Sequence, residues 1–140
     1  MDWTLEVVCV PVTDVERAKT FYADQLGFAV DHDTTIGAES AGARIVQLTP
    51  PGSGCSIVIG TAHVDMAPGS LQGLQLVVRD LLAAHAQLTE RGVDVGPVQV
   101  YDRDGLRPHH DGDELNNVGF CFFADPDGNG WAVQQITARS

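Results

Sequence analysis

The densest run of metal-ligating and acid–base side chains is His109-His110-Asp111, followed by Asp113 and Glu114. Imidazole and carboxylate groups hold divalent cations or move protons. His110 or Asp111 could therefore serve as a general base, or the run could supply a non-standard metal site. In an extended segment neighbouring side chains alternate, so His109 and His110 cannot both face one substrate. The plain alternative is a solvated acidic loop. A second run, Asp125-Pro126-Asp127-Gly128-Asn129-Gly130, superficially matches a calcium loop. The position such a loop gives to a bidentate Glu is Ile136 here, and Pro126 suits a hairpin. Asp125 and Asn129 are expected instead to take up backbone donors of a turn.

Other reactive groups stand apart. Cys9, Cys55 and Cys121 are odd in number, widely spaced and lack a C-x-x-C, which argues against a disulfide framework and a zinc knuckle. A catalytic thiolate needs a neighbouring base, and none accompanies Cys9, which reads as a small apolar wall residue. His32, His63 and His85 are isolated, with His85 in a helical stretch as a surface or half-buried residue. Arg17 and Arg91 lie at helix ends as surface pairs or dipole partners. There is no Ser-His-Asp grouping, no P-loop and no G-x-G-x-x-G after a strand.

The elements that must position these groups occur twice. Residues 5–12 (LEVVCVPV) predict a strand, Asp14 an N-cap, and the stretch to Gln25 a helix with Val15, Ala18, Phe21, Tyr22 and Leu26 as its apolar stripe, closed by Gly27. Residues 73–79 predict a strand, Asp80 a cap, and Leu81–Glu90 a helix with Leu82, Ala86 and Leu88 among its apolar positions, closed by Gly92. Strands 44–49 and 55–60 flank a P-P-G-S-G turn, and strands 118–124 and 131–137 flank D-P-D-G-N-G. Short strands near 28–32 and 95–101 complete each half, and 102–117 reads as a long polar loop, a candidate lid. Each half is β-α-β-β-β.

Alternation along the strands sets which side chains face a cleft. Val8, Val10 and Val12 pack under the first helix, leaving Val7, Cys9 and Pro11 toward the cleft with Ser56 and Val58. The second half contributes Gly73, Gln75, Val77, Ala132 and Gln134. Either Phe120 and Phe122, or Cys121 and Phe123, complete the wall. Trp131 either lines it or packs under a helix. Such a cleft is mostly apolar with a few amides and hydroxyls, which suits a mid-sized organic ligand.

The 140 residues are 44% hydrophobic and 6% aromatic, with 15 glycines and 7 prolines in no G-X-Y period. That composition is globular and excludes a collagen-like chain. A domain of this length buries about two-thirds of its surface, so it requires no disulfide or structural metal. Nineteen acids against eight bases give a net charge of −11. Such a surface repels phosphate backbones and anionic headgroups, so nucleic acid and membrane surfaces are excluded as partners. The N-terminus is acidic where a signal peptide is basic, and no apolar run reaches membrane-spanning length, which places the protein in the cytoplasm.

The segment VVCVPVTDVERAKTFYADQLGF at 7–28, the doubled plan, and DPDGNGW at 125–131 together resemble the vicinal oxygen chelate superfamily, which includes glyoxalase I, bleomycin-resistance proteins and extradiol dioxygenases. The resemblance runs from Leu5 to Thr137 and implies a U-shaped cleft holding one divalent cation in the metalloenzyme members. The family's ligand positions fall on Val7, Ser56, Gly73 and Ala132. These side chains carry no imidazole or carboxylate, so the resemblance implies the fold without the usual metal or cofactor.

The expected fold is α+β: two tandem β-α-β-β-β modules, about 3–60 and 71–138 with a linker at 61–70, forming a curved mixed sheet, a half-barrel, around a cleft in one domain. The expected function is metal-free binding of a small, partly apolar ligand in the cleft formed by Val7, Cys9, Ser56, Val58, Gly73, Gln75, Phe122, Ala132 and Gln134, by sequestration as in the drug-resistance members. An enzyme (isomerase, lyase or epimerase) using His110 or Asp111, or a non-standard metal site, is the alternative. A homodimeric domain with an incidental ligand is a third. The resemblance implies a homodimer in any case.

Overall fold

The computed structural model describes residues 1–36, 43–60 and 65–138. His63 and part of the expected 61–70 linker lie outside them. The class is α+β, with two open mixed sheets. The chain divides into two compact units, Met1–Leu71 with Asp125–Asn129, and Gln72–Ala124 with Gly130–Ser140.

The first unit is a four-stranded sheet in the order β1-β4-β3-β2, built from β1 (Val7–Pro11), β2 (Ala29–Ile36), β3 (Ala43–Thr49) and β4 (Ser56–Gly60). β1 runs parallel to β4, and β3 antiparallel to both its neighbours. Helix α1 (Val15–Thr20) begins where the Asp14 carboxylate accepts the Arg17 N–H at 3.0 Å. It continues as a π-helical turn over Phe21–Gln25 and closes at Gly27, φ 80°. α1 packs on β3 and β4, and Val15, Ala18, Phe21 and Tyr22 are buried with Val10, Val46, Leu48, Ile57 and Ile59. Those five strand residues share one face through the pairs Val10↔Ile59, Val46↔Ile59 and Leu48↔Ile57. Each such side chain contributes about 1.5–3 kcal/mol by burial, and a one-residue slip would turn the set outward, so the core fixes the register. Pro11, expected to face a cleft, is buried instead. Its carbonyl accepts the Asn129 side-chain amide at 2.8 Å.

That contact belongs to the Asp125–Asn129 turn. Asp125 Oδ1 accepts the backbone N–H groups of Asp127, Gly128 and Asn129 at 2.9–3.0 Å. Its Oδ2 accepts the Tyr22 hydroxyl at 2.7 Å and the Asn129 Nδ2 at 2.8 Å. Asn129 Oδ1 accepts the Leu71 N–H at 3.1 Å. Five donors occupy one carboxylate, so its oxygens serve the turn, leaving little for a calcium ion. Asp127 Oδ1 accepts from the Thr13 backbone and hydroxyl and from Arg17.

The second unit is a five-stranded sheet, β5-β9-β8-β6-β7, with β5 (Leu74–Val78) parallel to β9 (Gly130–Gln135) and antiparallel pairing elsewhere. The remaining strands are β6 (Gln99–Asp102), β7 (Gly105–Pro108) and β8 (Gly119–Ala124). Helix α2 (Leu81–Glu90) is capped by Asp80, whose carboxylate accepts the Ala83 N–H at 3.0 Å. Its inward stripe is Leu81, Ala84, His85 and Leu88, at helical spacing, whereas Leu82 and Ala86 point outward. His85 Nε2 lies 2.9 Å from the Gly96 carbonyl, which ties the helix to the segment entering β6. Two expectations are corrected here. The strand expected over 95–101 is the shorter β6, and the polar loop at 102–117 contains a strand, β7, paired through Gln99↔Pro108 and Asp102↔Gly105. An alternating strand was concealed there by its charged neighbours.

Candidate functional site

In each sheet the helix covers one face, and the residues of opposite parity form the other. On the helix-free face of the first sheet, Val7 pairs in register with Ser56 and Cys9 with Val58. Val7 and Cys9 are exposed, and Val58 is half-buried. Ser56 is 6% exposed, with its hydroxyl 2.6 Å from that of Thr49. Thr49 in turn donates to the Asp31 carboxylate, which stands at the bulge between Val30 and His32. The carboxylate can only accept, so Thr49 spends its single proton on Asp31 and must accept from Ser56. Sequence reasoning missed Asp31 and Thr49. They lie 18 positions apart and meet only because β2 and β3 pair.

On the helix-free face of the second sheet, Gln75, Ala132 and Phe122 form one cross-strand row and Val77, Gln134, Phe120 and Gln99 the next. The open question of parity in β8 is decided by burial: Cys121 and Phe123 are inside, with Phe123 stacked on Trp131 at 6.0 Å, so Phe120 and Phe122 take the other face. Phe120 and Phe122 stack at 6.2 Å with ring planes 5° apart, and Tyr101 meets Phe120 edge-on at 6.3 Å. Phe122 remains 40% exposed and Tyr101 56%. Burial pushes the Cys121 thiol up to about 11, which suits a packing residue and not a nucleophile. Gly73 lies just ahead of β5, and the residue beside Ala132 is Gln75.

The positions where the family resemblance places metal ligands can be tested on donor chemistry. Val7, Gly73 and Ala132 offer no side-chain donor, and the Ser56 hydroxyl is engaged with Thr49. A divalent ion requires several N, O or S ligands, so these residues do not fit one. Among the described residues no three His, Cys, Asp or Glu side chains are grouped to hold a metal.

The 109–114 run is held by the β6–β7 hairpin. Arg107 grips Asp113 with both Nη groups, at 2.8 and 3.1 Å, and Asp102 through Nε at 2.9 Å. The Arg107 guanidinium, helped by the His110 N–H, holds the Asp113 carboxyl well below the usual carboxylate range. The Asp104 backbone N–H and then Arg107 lower Asp102. His109 is half-buried with its N–H on the Val98 carbonyl, and the His110 N–H donates to Asp113. His110 and Asp111 are exposed. The carboxylate that organises this loop is therefore Asp113.

A family profile described as the Glyoxalase/Bleomycin resistance protein/Dioxygenase superfamily matches residues 4–133. Among solved structures, the antibiotic-binding protein TnmS3 from Streptomyces sp. CB03234 is 33% identical over 96% of this chain and 97% of its own, with a TM-score of 0.72. A glyoxalase/bleomycin resistance protein from the same organism is 34% identical over 94% of this chain and 100% of its own, with a TM-score of 0.70. A superfamily member from Sphaerobacter thermophilus DSM 20745 is 26% identical over 96% and 98%, with a TM-score of 0.71. No curated protein matches at a significant level. No helix among the described residues is long and apolar enough to cross a membrane.

Proposed function

The chain belongs to the Glyoxalase/Bleomycin resistance protein/Dioxygenase superfamily, and we propose that it binds and sequesters a small, flat, largely apolar organic molecule of the antibiotic type, without the divalent metal of the superfamily's metalloenzymes. The observation that carries this reading is the exposed aromatic row Tyr101–Phe120–Phe122 on the helix-free face of the five-stranded sheet. Aromatic side chains left in water on a sheet face are costly unless a ligand covers them, and offset stacking rewards a planar one. The antibiotic-binding relative at 33% identity supports the class of ligand. The donor-poor positions Val7, Ser56, Gly73 and Ala132 support binding without a metal, and the net charge of −11 favours a cationic or neutral ligand over an anionic one. The same reading makes the protein a cytoplasmic homodimer, which sedimentation and fractionation test.

The experiment is calorimetric titration of exhaustively chelated protein with doxorubicin and with the flat tricyclic cation proflavine, followed by mass spectrometry of the ligand. Saturable binding of at least one, recovered chemically unchanged, is expected. A Phe122→Ala variant should bind about tenfold more weakly, since one aromatic stack is worth about 1–3 kcal/mol. Affinity that vanishes on chelation and returns with added Zn, Ni, Fe or Mn would sink the metal-free reading. Binding that is indifferent to Phe122→Ala would remove the aromatic row from the site, and no binding of either compound would overturn the proposal.

A further inference from the structure

Beside the aromatic row the second sheet carries a hydrogen-bonded chain of amides whose direction is fixed. Gln134 Nε2 donates to the main-chain carbonyl of Asn117 at 2.7 Å. A carbonyl only accepts, so the Gln134 amide has one orientation, with its NH2 toward Asn117 and its Oε1 turned away. That oxygen accepts from Gln75 Nε2. Gln75 is thereby oriented too: among the described residues one N–H is spent on Gln134, while its Oε1 and second N–H remain. The anchor is itself unusual. Among the described residues Asn117 is the non-glycine residue with positive φ, 68°, and its own N–H is held by the Gln135 carbonyl at 2.7 Å. Asn tolerates this left-handed conformation better than most residues but still pays for it, and such strain persists where the surroundings over-determine it.

The register places this oriented amide with respect to the rings. Gln75, Ala132 and Phe122 lie side by side on β5, β9 and β8. Adjacent strands are about 4.8 Å apart, so the Gln75 and Phe122 backbones are separated by about 10 Å. Between them stands only the methyl group of Ala132. A larger residue would fill this shelf. With Ala132 there, a planar tricycle can lie across it with one end on the Phe122 ring and the other at Gln75.

We infer that this row selects flat polycyclic molecules whose edge carries an adjacent donor and acceptor, such as a lactam or secondary amide, read by the oriented Gln75 amide. Gln134 and Asn117 are positioning residues for Gln75. This inference rests on the proposed binding function and names its ligand class. Gln75 is exposed, so its amide loses water only when a ligand covers it, and an analogue with its donor blocked then leaves the Gln75 oxygen without a partner and should bind more weakly.

The test titrates wild-type protein with phenanthridin-6(5H)-one and with its N-methyl derivative, whose N–H is removed. The parent lactam is expected to bind about three- to tenfold more tightly. In Gln75→Met, which keeps the length of the side chain and removes both polar groups, the two should bind equally. Asn117→Gly, which relieves the backbone while keeping the carbonyl, should preserve the discrimination and keep the fold intact. Equal affinities in wild type overturn the inference, as does discrimination that survives in Gln75→Met. If neither lactam binds while doxorubicin or proflavine does, the lactam class is wrong and the binding function stands. If none of the four binds, both fall. Apparent affinity that drops as protein concentration rises would mean that a second copy of the chain covers the row, and it overturns the inference as well.

Discussion

Replacing Tyr22 by Phe removes one oxygen from a fully buried ring. The ring should stay in place, because Phe21 meets it edge-on at 5.2 Å and Phe28 stacks on it at 5.8 Å. The lost hydroxyl is the 2.7 Å donor to Asp125 Oδ2. Asp125 is buried and accepts from three backbone N–H groups and the Asn129 amide besides. A hydrogen bond to a charged group contributes about 1.5–3 kcal/mol, and the carboxylate left short of a donor cannot recruit bulk water easily. The expected cost is therefore about 2 kcal/mol. For a chain of this size that lowers Tm by about 4–8 °C. Urea unfolding followed by Trp fluorescence reads it directly as a lower midpoint with an unchanged slope. Asp125→Asn supplies the second arm of a double-mutant cycle. Residues in one buried network should couple, and the coupling should be about 1 kcal/mol or more. A Tyr22→Phe protein within about 0.5 kcal/mol of wild type, or a coupling near zero, would show that the turn is held by its own backbone and that the tyrosine merely packs.

Three further outcomes follow from the same geometry. Gly69, φ 79°, has no room for a side chain, because a Cβ there would sit 2.0 Å from the Asp127 carbonyl oxygen, whereas at Gly52, φ 85°, it would meet nothing within 4 Å. Gly52→Ala should therefore cost only the left-handed penalty of about 1–2 kcal/mol, and Gly69→Ala clearly more, by chemical denaturation. Asp33 and Asp113 are lowered below the ordinary 3.8, Asp33 by Arg44 and then Lys19, Asp113 by Arg107 and then the His110 N–H. A depressed folded-state value means their stabilisation is present above the unfolded value and is lost as pH falls below it. Asp113→Asn should thus flatten the loss of stability on acidification below about pH 4, and an unchanged pH profile would contradict the Arg107 clamp. With iodoacetamide at pH 8, exposed Cys9 should label on the native protein. Cys121, buried and raised to about 11, should label only on unfolding, as read by peptide mass spectrometry.

How much of this was legible depends on the range of the interaction. Asp14 and Asp80 announce their helices because an N-cap bonds only three residues ahead. The outward position of Leu82 shows where that reading stops: the four neighbouring apolar residues Leu81–Ala84 do not say which of them face the sheet. β7 is hidden in the sequence because Asp102, Arg103, Asp104 and Arg107 look like solvated loop, although Arg107 on that strand pairs with Asp102 and Asp113. The candidate-site residues Gln75, Ala132 and Gln134 were reachable by alternation alone, whereas Phe122 waited on the burial of Cys121 and Phe123. Their mutual order was not.

From its residues alone this chain determines two strand–helix plans, their caps, the D-P-D-G-N turn and the family, all carried by short-range periodicity and capping. Tertiary structure alone decided the rest. In GFCFFA every side chain but the first is apolar, so no pattern can say which parity faces inward, and only the packing of Phe123 on Trp131 and the burial of Cys121 settle it. The Asp31–Thr49–Ser56 relay and the Asn117–Gln134–Gln75 chain join strands through cross-strand register. Register is set by where distant apolar faces meet, and no local stretch of sequence contains it.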